Sequence, residues 1–471
     1  MSAASASYTP PANGFRTFLI VWVTQSISVF GSALTLFALN IWMITDLYPR
    51  PEQKPELALA ISATSLAFAL PTVFLAPIAG AWADRHDRKR TMLVMDFVNG
   101  LVSLALMVLV ISGLLQLWSL VILILVSASV GAFHGSAFDT SYAMLVPEAQ
   151  LPRANGMMQT MWGLSGVLSP GIAAAIISIP KLVTGASPLA HIPGASLAMG
   201  VDAITFFAAS ATLVFLFIPS PKRAELSEGQ PKISIWADVK EGALYIWRRR
   251  PMVWLLGTFA AANLTGGVLG VFFPLMIKFN LAPSWSGLGF SLETALAFLG
   301  TAASLGGVFG GVIVSAWGGL KKRRVYGVVV ALLVGALAVV GFGLSGAFYV
   351  SVALVALAEM TIPFANAHSQ AIWQTQTPHE LQGRVFAVRR VIAQFTWPFS
   401  TALAGVLGGL FNPGLVLAVL NVLMSLFLVF QLFNPVMLRV EDKEFLEAMA
   451  ARAAEKQTAR SKANSTPSLG D

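Results

Sequence analysis

"GAWADRHDRKR" (residues 80–90) places six charged side chains within the seven positions from Asp84 to Arg90. Charge is rare elsewhere, because only 11% of the 471 residues are Asp, Glu, Lys or Arg, whereas 56% are hydrophobic. The mean hydropathy of +0.74 indicates more apolar surface than a soluble core of this length can bury. The charged stretch therefore stands between segments that we expect to lie in lipid.

The apolar runs of the sequence predict the fold class. A helix that crosses about 30 Å of hydrocarbon with its backbone satisfied internally needs roughly 20 mostly apolar residues. Twelve such runs predict an all-α integral membrane protein with twelve transmembrane helices. Their approximate ranges are 15–45, 57–82, 91–115, 117–137, 156–179, 194–218, 252–277, 295–317, 325–344, 347–366, 385–411 and 414–432.

Several functional classes are excluded by missing residue patterns. The chain contains no cysteine, which excludes disulfides, thiolate metal sites and cysteine nucleophiles. None of the five histidines forms a metal-binding pair by spacing, and His134 is predicted to start a loop. No GxxxxGK[ST] phosphate loop or constellation of nucleophile, base and acid is present. We therefore expect neither an enzyme nor a cofactor, and no cleaved signal peptide at the N-terminus.

The distribution of basic residues predicts the orientation. Of the 30 Lys and Arg residues, 26 fall on the side of the predicted bundle that holds both chain ends, which leaves four on the other side. The positive-inside rule then places both termini in the cytoplasm, in a multi-pass protein of the plasma (inner) membrane. The net charge of +8 is explained by this topology, so we expect membrane lipids as partners and no nucleic acid. The four exceptions are Arg50, Lys54, Lys181 and Lys278.

The sequence also repeats itself with an offset of about 231 residues, which relates Pro147 to Pro378 and Arg153 to Arg384. We therefore predict a six-helix half over residues 1–218 and a second over 252–433. Residues 219–251 are predicted to form a cytoplasmic linker with an amphipathic helix, and 434–471 a cytoplasmic tail. A parallel duplication of this kind allows a substrate site to form between two halves that rock against each other.

The opening stretch resembles the loop motif between the second and third helices of the major facilitator superfamily. The branch with macrolide-efflux proteins and the enterobactin exporter is similar in "ADRHDRK" (83–89), "AFHGSAFDTSYAMLVPEAQL" (132–151), "LSP" (168–170) and "LQGRVFAV" (381–388). Asp87 departs from the motif, which usually has glycine there. The matching residues are Gly80, Ala83, Asp84, Arg85, Arg88 and Lys89.

This resemblance implies that the charged loop is a gating latch. Asp84 can accept hydrogen bonds from the start of a helix in the other half, which we expect near Val385 beside Arg384. Arg88 can hold an acid of its own half, and Asp139 is the candidate. The alternative is that the loop only orients the protein in the membrane. In the second half, Ser315 stands at the position that corresponds to Asp84.

Two acids within the apolar runs are candidates for proton coupling. Glu359 is predicted to lie near mid-membrane, and Asp202 lies in the second or third turn of the sixth run. A carboxylate in this setting can take a proton from one side and release it to the other. The alternatives are an acid hydrogen-bonded between helices for Glu359 and an interface-level acid for Asp202. Asp96 is interpreted as structural support for the latch.

Uncharged polar and aromatic side chains at mid-span are the candidates for substrate binding. They suit a mostly apolar pocket for an amphiphile, although each can also serve interhelical hydrogen bonding. No Lys or Arg is predicted near mid-span, so a strongly anionic substrate would lack a partner. The candidates are Gln25, Ser28, Thr35, Asn263, Gln394, Trp162 and Trp397.

These observations predict a secondary active transporter that exports neutral or cationic amphiphilic small molecules in exchange for protons by alternating access. A siderophore exporter of the same fold is one alternative, and an electropositive cavity would favour it. A membrane sensor or assembly factor is another, because fold alone does not determine function.

Overall fold

The computed structural model describes residues 11–147, 150–182, 191–219 and 235–465. Residues 220–234 of the predicted linker lie outside these ranges. The side chains of Asp84 and Gln394, two of the predicted functional residues, lie outside the described part as well.

The described residues form helices joined by loops, with no strand among them, which confirms the predicted fold class. Within them, 12 helices are long and apolar enough to cross a membrane. The helices are α1 (Gly14–Trp42), α2 (Lys54–Phe74), α3 (Ala76–Arg85), α4 (Arg88–Ile111), α5 (Leu117–Leu145), α6 (Leu151–Leu182), α7 (Gly194–Phe215), α8 (Ile235–Trp247), α9 (Arg250–Leu275), α10 (Ala282–Gly287), α11 (Leu292–Trp317), α12 (Arg324–Leu344), α13 (Phe348–Gln376), α14 (His379–Leu410), α15 (Pro413–Phe433), α16 (Pro435–Leu438) and α17 (Lys443–Ser465).

Several helices extend past the apolar runs that predicted them. Helix α5 continues to Leu145 rather than ending near residue 137, so the prediction that His134 starts a loop is wrong. Helix α14 begins at His379, so the prediction of a helix start near Val385 is also wrong. Val385 lies in the second turn, where its N–H group is already within reach of a helical carbonyl partner. Hydropathy detects the part of a helix in lipid and not its polar ends.

The charged loop joins two helices whose ends follow from its sequence. The second run is broken at Leu75, because Pro77 has no N–H to donate to the carbonyl four residues before it. Helix α4 then starts after Asp87, whose carboxylate accepts a hydrogen bond of 2.7 Å from the Arg90 N–H. Asp87 is thus an N-cap, which explains an acid where the related motif usually has glycine.

The first six spans (α1, α2, α4, α5, α6 and α7) pack mainly with one another, as do the last six (α9 and α11–α15), and we call these the first and the second set. In the first set, α7 packs along α1 and α4, while α5 packs along α2 and α4. In the second set, α13 packs along α11 and α12. Gly306 and Gly310 allow the α11–α13 contact, because a Cβ at either would lie 2.1 Å from a carbonyl oxygen of α13. These two glycines, four residues apart, therefore serve close helix packing.

The two sets of spans meet through α2 with α14 and through α6 with α11. We call the face with α3, α8 and the start of α14 the linker side, and the opposite face the far side. Ser62 donates a hydrogen bond of 2.6 Å to the Thr401 carbonyl, and Gly405 lies directly against Ser62. Towards the linker side, a cavity separates the two helices at Phe68 and Thr72.

Three of the four basic residues that the sequence placed on the far side bridge the two sets of spans. Lys278 donates to the carbonyls of Ile44 at 3.0 Å and Tyr48 at 2.6 Å, at the end of the first span. Lys54 donates to the Phe411 carbonyl at 2.6 Å. The third bridge is the ion pair between Lys181 and Glu293, at 2.9 Å. These lysines join the two sets of spans at the far side, in addition to any role in topology.

Candidate functional site

Two cavities meet at Asn263 and Trp397. One has a volume of about 630 Å³ and lies between the two sets of spans, with walls from α1, α2, α9 and α14. The other has a volume of about 490 Å³ and lies among the helices of the second set. Asn263 and Trp397 line both cavities. The structure therefore brings together two of the residues predicted to bind substrate.

The cavity within the second set is apolar with a small number of polar groups. Phe259, Leu332, Val339 and similar side chains form most of its wall. Glu359 is the one ionisable side chain among the described residues that line it. This composition suits a ligand with a large apolar surface and a few hydrogen-bonding or cationic groups. The other polar lining residues are Asn263, Thr265, Thr361, Asn366 and Asn421.

Four other predicted substrate residues lie away from these two cavities. Gln25, Ser28 and Thr35 are buried on one face of α1. Trp162 is 61% exposed on α6 and lines neither cavity. Their role in substrate binding stays a prediction, as does that of Gln394.

Asp202 is a buried acid at the junction of three helices in the first set. It is 3% exposed, and its carboxylate accepts hydrogen bonds from Ser103 of α4 at 2.7 Å and from Ser32 of α1 at 3.2 Å. Thr35 lies beside the same carboxylate. The sequence predicted the acid but not its hydroxyl partners, which come from helices distant in the chain.

Side chains of the charged loop donate hydrogen bonds to backbone carbonyls on the linker side. Arg88 is 7% exposed and donates to the carbonyls of Ala83 at 3.2 Å and Thr140 at 3.1 Å. Lys89 donates to the Val214 carbonyl at 2.9 Å. These contacts tie the loop to α5 and α7. The predicted pairing of Arg88 with Asp139 stays a prediction, like the latch roles of Gly80 and Arg85.

The predicted latch residue Arg384 contacts the linker helix. Its guanidinium forms an ion pair with Glu241 of α8, and Gly242 packs against the Arg384 backbone. Tyr245 of α8 donates a hydrogen bond of 2.6 Å to the Gln376 carbonyl. Burial raises the pKa of the Tyr245 phenol, which keeps this donor protonated. The linker helix α8 therefore packs against the junction between α13 and α14, a contact that the sequence did not indicate.

Asp96 and His134 form a buried pair that the sequence analysis missed. The Asp96 carboxylate is 3.1 Å from the His134 ring, and the Gln25 amide donates to it at 2.8 Å. The matching seven-residue spacing of Asp96 and Ser103 on α4 and of Gln25 and Ser32 on α1 is a signal for the Gln25–Asp96 contact, but no spacing indicates His134 as a partner.

Comparison with known proteins shows the family. The model described as Major Facilitator Superfamily matches residues 21–401. The chain belongs to the major facilitator superfamily. It is 24% identical over 388 residues to macrolide efflux protein A of Streptococcus pyogenes, covering 82% of this chain and 88% of that protein. It is also 24% identical over 385 residues to the multidrug efflux pump Tap of Mycolicibacterium fortuitum, covering 80% of this chain and 85% of that protein.

Solved structures of transporters share this major facilitator fold. A bacterial homologue of the human lysosomal transporter Spinster, inward-facing and unoccupied, has a TM-score of 0.62 at 15% identity. That match covers 95% of this chain and 96% of the other. The nucleoside transporter NupG, in a mutant form, has a TM-score of 0.65 at 11% identity, covering 88% of this chain and 99% of the other. The protein is thus a multi-pass membrane transporter for small molecules and not an enzyme.

Proposed function

We propose that this transporter exports neutral or cationic amphiphilic compounds of the macrolide or multidrug type in exchange for protons. The observation that carries the proposal is Glu359 in a cavity that is otherwise apolar or uncharged among its described lining residues. A carboxylate in this position attracts a cationic group and can exchange it for a proton. The names of the similar efflux proteins support the same class of compound.

The orientation belongs to the same proposal. The linker side carries the excess of Lys and Arg, so it faces the cytoplasm together with both termini. In this orientation the contacts of Lys54, Lys181 and Lys278 close the outside. The described conformation would then receive a compound from the cytoplasm, which is the first step of export by alternating access.

Glu359 and Asp202 are proposed to carry the coupled protons. Glu359 lies where a compound and a proton can compete for one carboxylate. Asp202 lies among the hydroxyls of Ser32 and Ser103, where a proton can bind without a compound. Coupling requires that a carboxylate binds a proton when it is accessible from one side of the membrane and releases it when it is accessible from the other. Glu359 would do so in competition with a compound, and Asp202 would do so without one.

The proposal is tested by proton movement in proteoliposomes on addition of macrolides, cationic dyes and a catecholate siderophore. Glu359→Gln is expected to abolish the proton movement driven by cationic dyes, because the amide cannot exchange a cation for a proton. Wild-type movement with the siderophore alone would favour the alternative siderophore exporter. Binding without movement of any compound would favour a sensor. Unchanged proton movement in Glu359→Gln would leave Asp202 as the coupling acid.

Asp84→Asn tests the latch within the same assay. We propose that Asp84 caps a helix of the other half when the linker side closes, and an amide there lacks the negative charge that the positive end of a helix attracts. Transport is expected to fall while the amount of folded, membrane-inserted protein stays at the wild-type level by size-exclusion chromatography. Ser315→Ala, at the corresponding position of the second half, is the control and should transport normally. Normal transport by Asp84→Asn would remove the latch.

A further inference from the structure

Asp96 and His134 form a polar centre about one third of the way into the membrane from the linker side, since Asp96 lies two turns into α4. Asp96 is 1% exposed, and its Oδ1 atom is 3.1 Å from the Nε2 atom of His134. Its Oδ2 atom accepts the hydrogen bond of 2.8 Å from Gln25. Apart from each other, Oδ1 and Nε2 have no hydrogen-bonding partner among the described residues. We infer that the Asp96–His134 pair is a proton-binding site of the transport cycle, an inference that rests on the proposed proton-coupled export.

The position of the pair argues against a purely structural role. A charged carboxylate in the bundle interior is costly, and two apolar side chains would pack there without that cost. His134 keeps 15% of its side chain exposed, whereas Asp96 beside it is 1% exposed. A group that must exchange protons with water needs this combination of one accessible and one protected partner.

The chemistry of the pair fits the binding of one proton. With a neutral ring, the pair carries a net charge of −1 from the carboxylate. When a proton from water binds the ring, an imidazolium faces the carboxylate and the net charge of the pair becomes zero. Imidazole is the side chain whose charge changes nearest to neutral pH. Gln25 can donate to Oδ2 in both states, so the carboxylate keeps its position as the proton comes and goes.

The charged groups around the pair carry both signs and lie on α3, α4 and α5. Asp139 follows His134 by five residues on α5 and interacts with it electrostatically. Arg88 lies two turns before Asp96 on α4 and donates to backbone carbonyls of α3 and α5. Tyr142 lies on α5 beyond Asp139, and the short helix α3 carries Arg85 and His86 at its end.

The other helices packed against the pair contribute uncharged groups at its level. Helix α1 presents Gln25, and α7 presents Ser210, which donates to the Leu93 carbonyl. Among the described residues of α2, the ionisable ones, Lys54 and Glu56, lie at the far side. The nearest acid on α7 is Asp202, about 10 Å further into the membrane, since Ser103 is two turns from Asp96.

A row of polar side chains connects the pair to Asp202. Gln25, Ser28, Ser32 and Thr35 lie on one face of α1, with the first two only 2% exposed. On the facing side of α4, Asn99 lies one turn beyond Asp96, and its side-chain Oδ1 atom accepts a hydrogen bond of 2.9 Å from Ser127. Such a row can pass a proton between the linker side and the centre of the membrane. This role also explains why three residues predicted to bind substrate face the interior of the first set.

The test uses the full-length protein in proteoliposomes with a compound that the wild type transports. In His134→Gln, the side-chain amide can still donate to Asp96 but cannot take up a proton. We expect fewer protons moved per compound and a transport rate that no longer changes with pH on either side of neutral. Asp96→Asn is expected to flatten the pH profile in the same way and serves if His134→Gln does not fold. His191→Gln, an exposed histidine, is the control and should keep the wild-type profile.

The outcomes separate this inference from the proposed function. Wild-type proton movement and an unchanged pH profile in both His134→Gln and Asp96→Asn would overturn the proton site while leaving proton-coupled export intact. Transport by the wild type with no proton movement at all would overturn both. A purely structural role would lower the amount of folded protein, measured by size-exclusion chromatography, without altering the shape of the pH profile, and that result would also overturn the inference.

Discussion

Asp202→Asn is expected to abolish proton-coupled transport while leaving the protein folded. Asparagine has the shape of aspartate and can still accept the hydrogen bond from Ser103, but it cannot bind and release a proton. The surroundings of Asp202 are therefore preserved while its proton chemistry is removed. Proton movement on addition of a transported compound should fall to the level of protein-free liposomes. Binding of the compound, measured by the quenching of tryptophan fluorescence, should persist, because Asp202 lines neither central cavity.

The control for this experiment is Asp46→Asn, which removes an exposed acid at the far end of the first span. Its proton movement should match the wild type. If Asp202→Asn also retains wild-type proton movement, Asp202 is a structural acid that joins α1, α4 and α7, and coupling rests on Glu359. Loss of binding together with proton movement would instead indicate that Asp202 shapes the compound site.

The architecture was predictable from the sequence because lipid imposes a simple rule. Each crossing needs its own long apolar helix, so the number of spans follows from the runs of apolar residues. The ends of the helices were less predictable. Helices α5 and α14 extend into polar segments, and hydropathy cannot detect a helix there. For this reason the hydropathy pattern predicts a loop at His134 and a helix start near Val385, and both predictions are wrong.

The site was predictable in part. The sequence shows the type of a residue and its depth in a span, but it does not show which residue of another helix that side chain contacts. Glu359, Asn263 and Trp397 were found by depth in a span, and they line the same cavity. Depth gave no means to predict the Asp96–His134 pair, whose partners are 38 positions apart on different helices. The lysine bridges of the far side were equally inaccessible, because the acceptor atoms of Lys54 and Lys278 are backbone carbonyls that any sequence provides.

Gly405→Val is expected to slow the cycle by disfavouring closure of the far side. A Cβ atom at Gly405 would lie 2.6 Å from the Cβ of Ser62, across the contact between α14 and α2. Overpacking of this kind costs about 1–3 kcal/mol. The cost falls on the conformation in which these helices touch and is relieved when they separate. A difference of this size shifts the ratio of the two conformations by a factor of about 5–150.

Because the chain contains no cysteine, a single Asn40→Cys substitution can report this shift. Asn40 lines the cavity between the two sets of spans, so a membrane-impermeant maleimide added from the far side should label it slowly when that side is closed. Labelling should accelerate with Gly405→Val, and transport should fall. Gly311→Val adds the same side chain where a Cβ meets no atom within 4 Å, so it should change neither. Labelling and transport at the level of this control would contradict closure through the α2–α14 contact. Faster labelling with normal transport would show that closure of the far side does not limit the rate of export, because transport would then be unaffected although the closed conformation is disfavoured.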